Sequence, residues 1–149
     1  MPITRDELRA QLSDIEPDEG TYKRIGASEV DALRRLLDDE EPWLAARAVH
    51  ALSRINAKPA RLALVEASQN ARPEVRVAVA ASAGSLPPKV SDEVLSKLLN
   101  DPEIGVRKFA VKSSSARNSV AIRRRVRELA ASETDAAVRR IAIEKARAL

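Results

Sequence analysis

The stretch Asp101–Val111, DPEIGVRKFAV, decides the fold, because its parts recur along the chain at a nearly constant interval. When the related fragments are aligned on an arginine, the intervals are 29, 31 and 32 residues, between Arg47, Arg76, Arg107 and Arg139. Apolar residues stand mainly one before and two and three after each arginine. At 100° per residue these positions share one side of a helix. The fragments therefore predict four copies of one amphipathic helix.

A different helix is predicted before each of these copies. The four segments are SEVDALRRLLDD, PARLALVEASQ, SDEVLSKLLN and SVAIRRRVRELAAS. Each has a start signal of its own, namely a capping box of Ser28 with Asp31, then Pro59, then Ser91, then Asn118 or Ser119. Prolines 42, 73, 87, 88 and 102 separate the helices. The sequence thus predicts a helix, a turn and a helix, four times over.

A unit of about 30 residues with two helices cannot bury its apolar faces alone, so neighbouring units must stack. In this pattern the chain resembles the HEAT repeat family, and in particular its short bacterial form, similar to the HEAT-like repeats of phycobilin lyases. The resemblance covers roughly residues 28–149. It is carried by the pairs Val75–Arg76, Val106–Arg107 and Val138–Arg139, by Ala110 and Ala142, and by a residue six before each arginine: Glu41, Asn70, Asp101 and Glu133. The resemblance implies that these arginines and acidic residues form a ladder between adjacent repeats.

We therefore expect an all-α fold, a right-handed α-solenoid of about four HEAT-like repeats with an N-terminal capping helix. Residues 1–27 are the cap and linker, in which Thr4 and Glu7 form a capping box and Leu8, Leu12 and Ile15 form the apolar side. The repeats are expected at 28–56, 57–86, 89–116 and 118–149. The polar run VKSSSARNS predicts a shortened helix at the end of the third repeat.

Composition restricts the functions that the chain can perform. The sequence has no cysteine, one histidine and four glycines, and it lacks a glycine-rich phosphate loop. Neither a signal peptide nor a membrane-spanning run is apparent, so we expect a cytoplasmic protein without a membrane partner. The resemblance to the short bacterial HEAT-like repeats implies a bacterial protein. Residues 1–75 hold 11 Lys and Arg against 14 Asp and Glu, whereas residues 76–149 hold 15 against 8. The basic half could attract an acidic protein surface or nucleic acid.

The sequence gives little support for an enzyme. His50 occupies a position that is apolar in the other copies, so we expect it to be packed, and no second histidine or cysteine could complete a metal site. We expect Trp43 to pack on Tyr22 or Leu36, with an exposed binding anchor as the alternative. A HEAT-like lyase or glycosylase would need a carboxylate in its groove, for which Glu144 is the candidate. We expect no catalytic residue, cofactor, metal or small-molecule substrate.

The predicted function is that of an adaptor or scaffold that binds a partner protein on its concave face. Positions one, five and eight after each aligned arginine face away from the core and are expected to form this wall. The predicted contact residues are Leu52, Val77, Ala81, Lys108, Lys112, Arg140 and Arg147. An apolar N-terminal end and a basic C-terminal end suit a peptide or helix with an apolar anchor and an acidic segment.

Nucleic-acid binding by the basic C-terminal half is the alternative. Its candidate residues are Arg117, Arg123, Arg124 and Arg127, which could contact phosphates without reading base sequence. Because Glu128 stands one turn from Arg124, the sequence predicts that these two residues pair. The same arginines would equally suit a solvated outer face of the repeats.

Overall fold

The computed structural model describes residues 2–13 and 19–149, and within these ranges it contains helices and no strand. The helices are α1 Arg5–Leu12, α2 Glu19–Lys23, α3 Val30–Leu36, α4 Pro42–Ser53, α5 Lys58–Ala67, α6 Pro73–Ser82, α7 Pro88–Leu98, α8 Ile104–Ser113, α9 Val120–Ser132 and α10 Ala136–Arg147. The chain divides into two compact units, residues 1–78 and 79–149, with the boundary inside α6. The all-α class predicted from the sequence is confirmed.

The helices alternate as first and second members of four pairs, beginning with α3 and α4. The second helices start at Pro42, Pro73, Ile104 and Ala136, at intervals of 31, 31 and 32 residues. Proline suits the first turn of a helix, because the N–H that it lacks would have no partner inside the helix. The first residue of the second helix is therefore a better reference point for the repeat than the arginine.

The N-terminal unit is built on α1, α3, α4 and α5. Helix α1 packs against α3 and α4, and α5 packs against the same two helices. The predicted capping box is present, since the Glu7 N–H donates to Thr4 Oγ1 at 3.2 Å and the Thr4 N–H donates to Glu7 Oε2 at 2.9 Å. Leu8 and Leu12 are fully buried, as predicted, while Ile15 lies outside the described residues. Helix α1 thus covers the first repeat.

In the C-terminal unit, α9 and α10 pack on each other and on the pair before them. Helix α10 contacts α8, and α9 contacts α7. The apolar stripes of its two first helices, α7 and α9, are buried: Val94, Leu95, Leu98, Leu99, Ile122, Val126 and Leu129. Ser119 caps α9 by accepting the Ile122 N–H at 3.4 Å. Helix α8 ends at Ser113, inside the polar run VKSSSARNS, and at 10 residues it is shorter than α4 and α10 but as long as α6.

Two predicted helix starts are wrong. Instead of a Ser28–Asp31 box, a 3₁₀ turn over Ala27–Glu29 precedes α3, and the buried Glu29 carboxylate accepts the Gly26 N–H at 3.0 Å. Ser91 lies inside α7, which already begins at Pro88. Its hydroxyl is buried and accepts from the Asn118 side-chain amide at 3.0 Å. A proline at the first helical position outranks a later serine as a start signal.

Candidate functional site

The predicted ladder is present in the C-terminal unit. Arg107 on α8 donates through Nε and Nη2 to the two Glu133 oxygens, at 3.0 and 2.8 Å. Its Nη1 donates to the Asp101 carbonyl at 2.9 Å, which fixes the guanidinium at the start of its own helix. The Glu133 side chain is only 4% exposed, and the Arg107 hydrogen bond holds the pKa of its carboxyl below the ordinary value. One arginine therefore ties the third repeat to the fourth.

A second rung, which the sequence did not suggest, starts outside the repeats. Arg9 on α1 donates through Nε to Asp39 Oδ2 at 2.9 Å, and Arg5 lies 3.5 Å from the same oxygen. Asp39 is 3% exposed. Burial raises its pKa, but the hydrogen bonds from Arg9 and from the Glu41 N–H outweigh burial, so the pKa is lowered. Helix α1 thus supplies the arginine that a preceding repeat would supply.

The ladder residue of the first repeat is Asp39 rather than the predicted Glu41. Four side chains each accept the N–H of the residue two positions later, at 2.9 to 3.1 Å, and they are Asp39, Asn70, Asp101 and Glu133. Their intervals are the 31, 31 and 32 residues that separate the second helices. The predicted alignment of the first repeat is therefore wrong by two residues, because it treats Arg47 as the ladder arginine.

In the corrected register, Ala45 stands at the arginine position of the first repeat and Asn70 at the acidic position of the second. The cation and the anion of this rung are thus both replaced by neutral residues, which avoids an unpaired buried charge. Arg72 makes the contact between these repeats instead, donating to the Asp39 carbonyl at 2.7 Å and also to the Leu37 carbonyl. One guanidinium joins the two repeats without a carboxylate.

The corrected register also removes Leu52 from the predicted contact surface. Leu52 is fully buried, together with Ala48 and Val49 on the same helix. The positions of α4 that correspond to Lys108 and Lys112 of α8 are Ala46 and His50. The prediction for Leu52 is therefore wrong, because the two-residue error rotated α4 by more than half a turn.

The exposed side of α4 carries aromatic residues instead. Trp43 is 44% exposed, its Nε1 donates to Glu41 at 3.1 Å, and Arg47 lies 4.8 Å from its ring centroid. His50 is exposed and meets the Tyr22 ring edge-to-face at 4.7 Å, and partial burial lowers its pKa. The packed positions predicted for Trp43 and His50 are wrong, since both residues lie on the surface side of the corrected register.

The basic residues predicted for the contact wall of the C-terminal unit lie on the outer sides of α8 and α10. Lys108 and Lys112 flank the half-buried ring of Phe109, with their Nζ atoms 5.9 and 5.5 Å from its centroid. Arg140 holds the position of Lys108 one repeat later, on a helix that packs against α8. We name Lys108, Phe109, Lys112, Arg140 and Arg147 the basic face.

The remaining predicted wall residues differ in exposure. On α6, Val77 is half-buried and Ala81 is exposed. Arg140 and Arg147 are exposed, and so is Glu144, which stands at the position equivalent to Lys112. Within residues 2–13 and 19–149, no salt bridge from a carboxylate reaches Lys108, Lys112 or Arg140. The cations of the basic face are thus not neutralised by the side chains that the structure describes.

The four arginines considered for nucleic acid have different surroundings. Arg124 is exposed, Arg123 is half-buried, and Arg127 donates to the Leu149 carbonyl at 3.3 Å. Arg117 lies in the loop after α8, 3.4 Å from the Gly84 carbonyl. The predicted pairing of Glu128 with Arg124 is wrong, because Glu128 pairs with Arg125 at 3.1 Å. Arg117 and Arg127 thus contact backbone carbonyls of the protein itself.

Two kinds of feature are absent from the described residues. No group of three or more His, Cys, Asp or Glu side chains stands close enough to hold a metal ion. None of the described helices combines the length and the apolar character that crossing a membrane requires.

The fold is similar to that of known repeat proteins, although no protein-family model and no curated protein matches the sequence. One solved structure, the complex of CpcE and CpcF of phycocyanin lyase from Nostoc sp. PCC7120, matches with a TM-score of 0.70 and 22% identity over 95% of this chain and 96% of that chain. A designed armadillo repeat protein in complex with the peptide (KR)4 matches with a TM-score of 0.47 and 19% identity over 94% and 80%. The first of these matches confirms the predicted all-α solenoid fold of stacked helix pairs.

Proposed function

We propose that this protein is a binding module whose basic face receives an acidic segment of another protein. The observation that carries the proposal is that the ammonium groups of Lys108 and Lys112 both lie over the Phe109 ring, 5.9 and 5.5 Å from its centroid. A half-exposed aromatic ring supplies an apolar anchor point, and the flanking ammonium groups select for carboxylates. A segment with an aromatic or aliphatic residue among acidic residues has the complementary chemistry.

Rigid helices support this role. Arg107, next to Lys108 on α8, is fixed by four hydrogen bonds to Glu133, Asp101 and Pro102, so Lys108 projects from an ordered backbone. A surface that is ordered before binding loses less conformational entropy when the partner arrives. Repeat folds are used as binding scaffolds for this reason, and the phycocyanin lyase structure of similar fold is itself a complex of two proteins.

The proposal includes no catalytic step. Glu144, the carboxylate considered for a lyase or glycosylase, is exposed on α10, whereas a general acid is typically held in a pocket that excludes water. The single histidine of the sequence contacts Tyr22 and has no described carboxylate hydrogen bond. A lyase or glycosylase activity is a third candidate function, and a measurable activity that Glu144→Ala abolishes while peptide binding is retained would support it.

The decisive experiment titrates the protein into a fluorescein-labelled peptide of eight glutamates around one phenylalanine. We expect the Lys108→Ala, Lys112→Ala double variant to weaken binding about tenfold, because each lost charge contact contributes up to about 1 kcal/mol. Binding should also weaken between about 50 and about 200 mM salt, because salt screens exposed charges. Fluorescence anisotropy measures both effects.

A matched control is the Lys89→Ala, Lys97→Ala double variant, which removes the same charge from α7 of the same unit. Equal weakening by the two double variants would mean that only net charge matters, and the proposal would be wrong. A labelled single-stranded oligonucleotide of equal charge tests the alternative. If it binds more tightly than the peptide and Arg124→Ala weakens it, the protein binds nucleic acid instead.

A further inference from the structure

Two adjoining cavities lie between α7 and α9, the first helices of the C-terminal unit. The first has a volume of about 300 Å³, and its wall includes Ser96, Ile122, Arg124 and Glu128. The second has a volume of about 360 Å³ and extends to the loop between α9 and α10. Asn100 and Arg125 line both cavities, so the two form one cleft, which we name the α7–α9 cleft. Cavities of this size hold small ligands in other proteins.

An arginine in this cleft occupies a position that is apolar in the earlier first helices. These helices repeat at 31 residues, as their buried residues indicate: Leu33, Leu64, Leu95 and Val126. Arg125 is thus the counterpart of Ala63 and Val94, which are both buried. Its Nη1 pairs with Glu128 at 3.1 Å, but its Nε is buried and has no hydrogen-bond partner in the part of the chain that the structure describes. Because a buried donor without an acceptor is unfavourable, this guanidinium is suited to an acceptor from outside the chain.

A salt bridge spans the equivalent cleft of the N-terminal unit, between α3 and α5. There Arg34 Nη2 lies 2.6 Å from Glu66 Oε2. The counterpart of Glu66 at the same repeat interval is Glu128, but the counterpart of Arg34 is Ser96, whose hydroxyl donates to the Glu93 carbonyl at 2.7 Å. Because serine is short and carries no charge, this bridge cannot form between α7 and α9. The α7–α9 cleft is therefore not crossed by the side chain that crosses its counterpart.

The charge of the first cavity restricts the ligand. Its wall holds the two cations Arg124 and Arg125 against the single anion Glu128, which leaves one positive charge. A singly charged anion would balance this wall, whereas the second negative charge of a phosphate monoester would be repelled by the glutamate. Asn100 uses one of its two side-chain N–H groups on a backbone carbonyl at 3.1 Å and has the other to donate. Ile122 adds an apolar part of the wall, so the ligand that fits combines a carboxylate with a compact hydrocarbon group.

We propose that the α7–α9 cleft binds a small organic monocarboxylate, whose oxygens accept from Arg125 while its hydrocarbon part packs on Ile122. A rotation of the Arg125 side chain, which is 34% exposed, turns its Nε and Nη2 edge into the cavity. The same unit already uses this geometry, since Arg107 donates through Nε and Nη2 to the two Glu133 oxygens. Bidentate pairs of this kind are strong and selective for planar anions. The first cavity is formed by α7 and α9 and the basic face by α8 and α10, so this proposal does not depend on the proposed function.

The test uses benzoate as the probe and observes the Arg125 Nε–H group directly. In proton–nitrogen correlation spectra of the full-length protein, benzoate should shift this signal to saturation with a Kd of about 1 mM or tighter. Arg125→Leu restores the apolar character of the counterpart positions and should fold, and we expect it to weaken benzoate binding about tenfold. Arg127→Leu removes an exposed arginine of the same helix that lines neither cavity. It is the matched control and should bind benzoate as the unchanged protein does.

A second variant, Ser96→Arg, distinguishes the cleft from a general attraction of anions. The added arginine can pair with Glu128 across the cleft, as Arg34 pairs with Glu66. We therefore expect benzoate binding to weaken several-fold, although the variant adds a positive charge to the unit. Stronger binding in Ser96→Arg would overturn the proposal, because net charge would then explain the affinity.

Three other outcomes would also overturn the proposal. They are an Arg125 signal that does not saturate with benzoate, equal binding of the neutral analogue benzamide, and tighter binding of phenyl phosphate than of benzoate. The Lys108→Ala, Lys112→Ala double variant should bind benzoate normally, and Arg125→Leu should bind the glutamate-rich peptide normally. Failure of the cleft proposal can thus be told apart from failure of the proposed function.

Discussion

Replacing Leu52 with alanine is expected to lower the free energy of unfolding of the N-terminal unit by about 3 kcal/mol. The side chain is fully buried on α4 beside Ala48 and Val49, so its removal leaves a cavity as well as losing apolar burial. Trp43 is the only tryptophan of the sequence and lies on the same helix. Its fluorescence during urea denaturation therefore reports the unfolding of this unit.

Leu62→Ala is the matched control for this prediction. It is the same chemical change in the same unit, but Leu62 is 55% exposed on α5, so we expect a change within about 0.5 kcal/mol. Leu52→Ala should also leave binding of the glutamate-rich peptide unchanged under conditions where the variant is folded. A stable Leu52→Ala protein with weakened peptide binding would instead restore Leu52 to the contact surface that the sequence predicted.

The contrast between these leucines shows which signals in the sequence were sufficient. The period of about 31 residues and the apolar stripes of the first helices identified the fold class, because only stacked neighbours can bury such stripes. Leu62 shows the limit of this signal, because it is apolar but lies outside the buried side of α5, which Ala60, Ala63 and Leu64 form. Alanines are small and allow helices to approach closely. A count that considers only large apolar residues therefore misses the buried side of α5.

The predicted alignment of the first repeat caused the main errors in the predicted site residues. Arg47 imitates a ladder arginine in sequence, although its Nη1 donates to the Leu12 carbonyl and its guanidinium stacks on Trp43. The available signal was Pro42, which stands 31 residues before Pro73. Aligning those prolines places Asp39 with Asn70 and moves Trp43 and His50 to the surface. This alignment does not identify Arg9 as a ladder residue, because α1 is not preceded by a first helix that would mark it as part of a repeat.

The exposure of the basic residues was predictable, whereas their partners were not. Lys108, Lys112 and Arg140 follow from the helical period alone, since they lie opposite the buried Val106 and Val138. Ion pairs depend on side-chain geometry that sequence spacing does not determine. Glu128 shows this, because spacing permits a bond to Arg124 and the structure makes one to Arg125. Sequence spacing alone therefore does not determine which charged side chains are free to bind a partner.

Glu133→Gln is expected to destabilise the C-terminal unit by about 2 to 3 kcal/mol at neutral pH. The change leaves the Arg107 guanidinium, whose side chain is 15% exposed, without its anionic partner. Removing one member of a buried ion pair is typically this costly, because the other charge stays buried. The value falls at the lower end of the usual range, since Arg107 keeps hydrogen bonds to the Asp101 and Pro102 carbonyls. Urea denaturation followed by circular dichroism measures the loss.

The pH dependence of this loss distinguishes the ion pair from simple packing. Because Arg107 lowers the pKa of Glu133 in the folded state, the stabilisation is fully present above the ordinary glutamate pKa and is lost as pH falls through the lowered one. The difference in stability between the original protein and Glu133→Gln should therefore shrink in acid, where both side chains are neutral. Glu128→Gln is the control, because its pair with Arg125 is exposed and contributes at most about 0.5 kcal/mol. If Glu133→Gln costs no more than this control at any pH, the pair of Arg107 and Glu133 does not stabilise the stacked repeats.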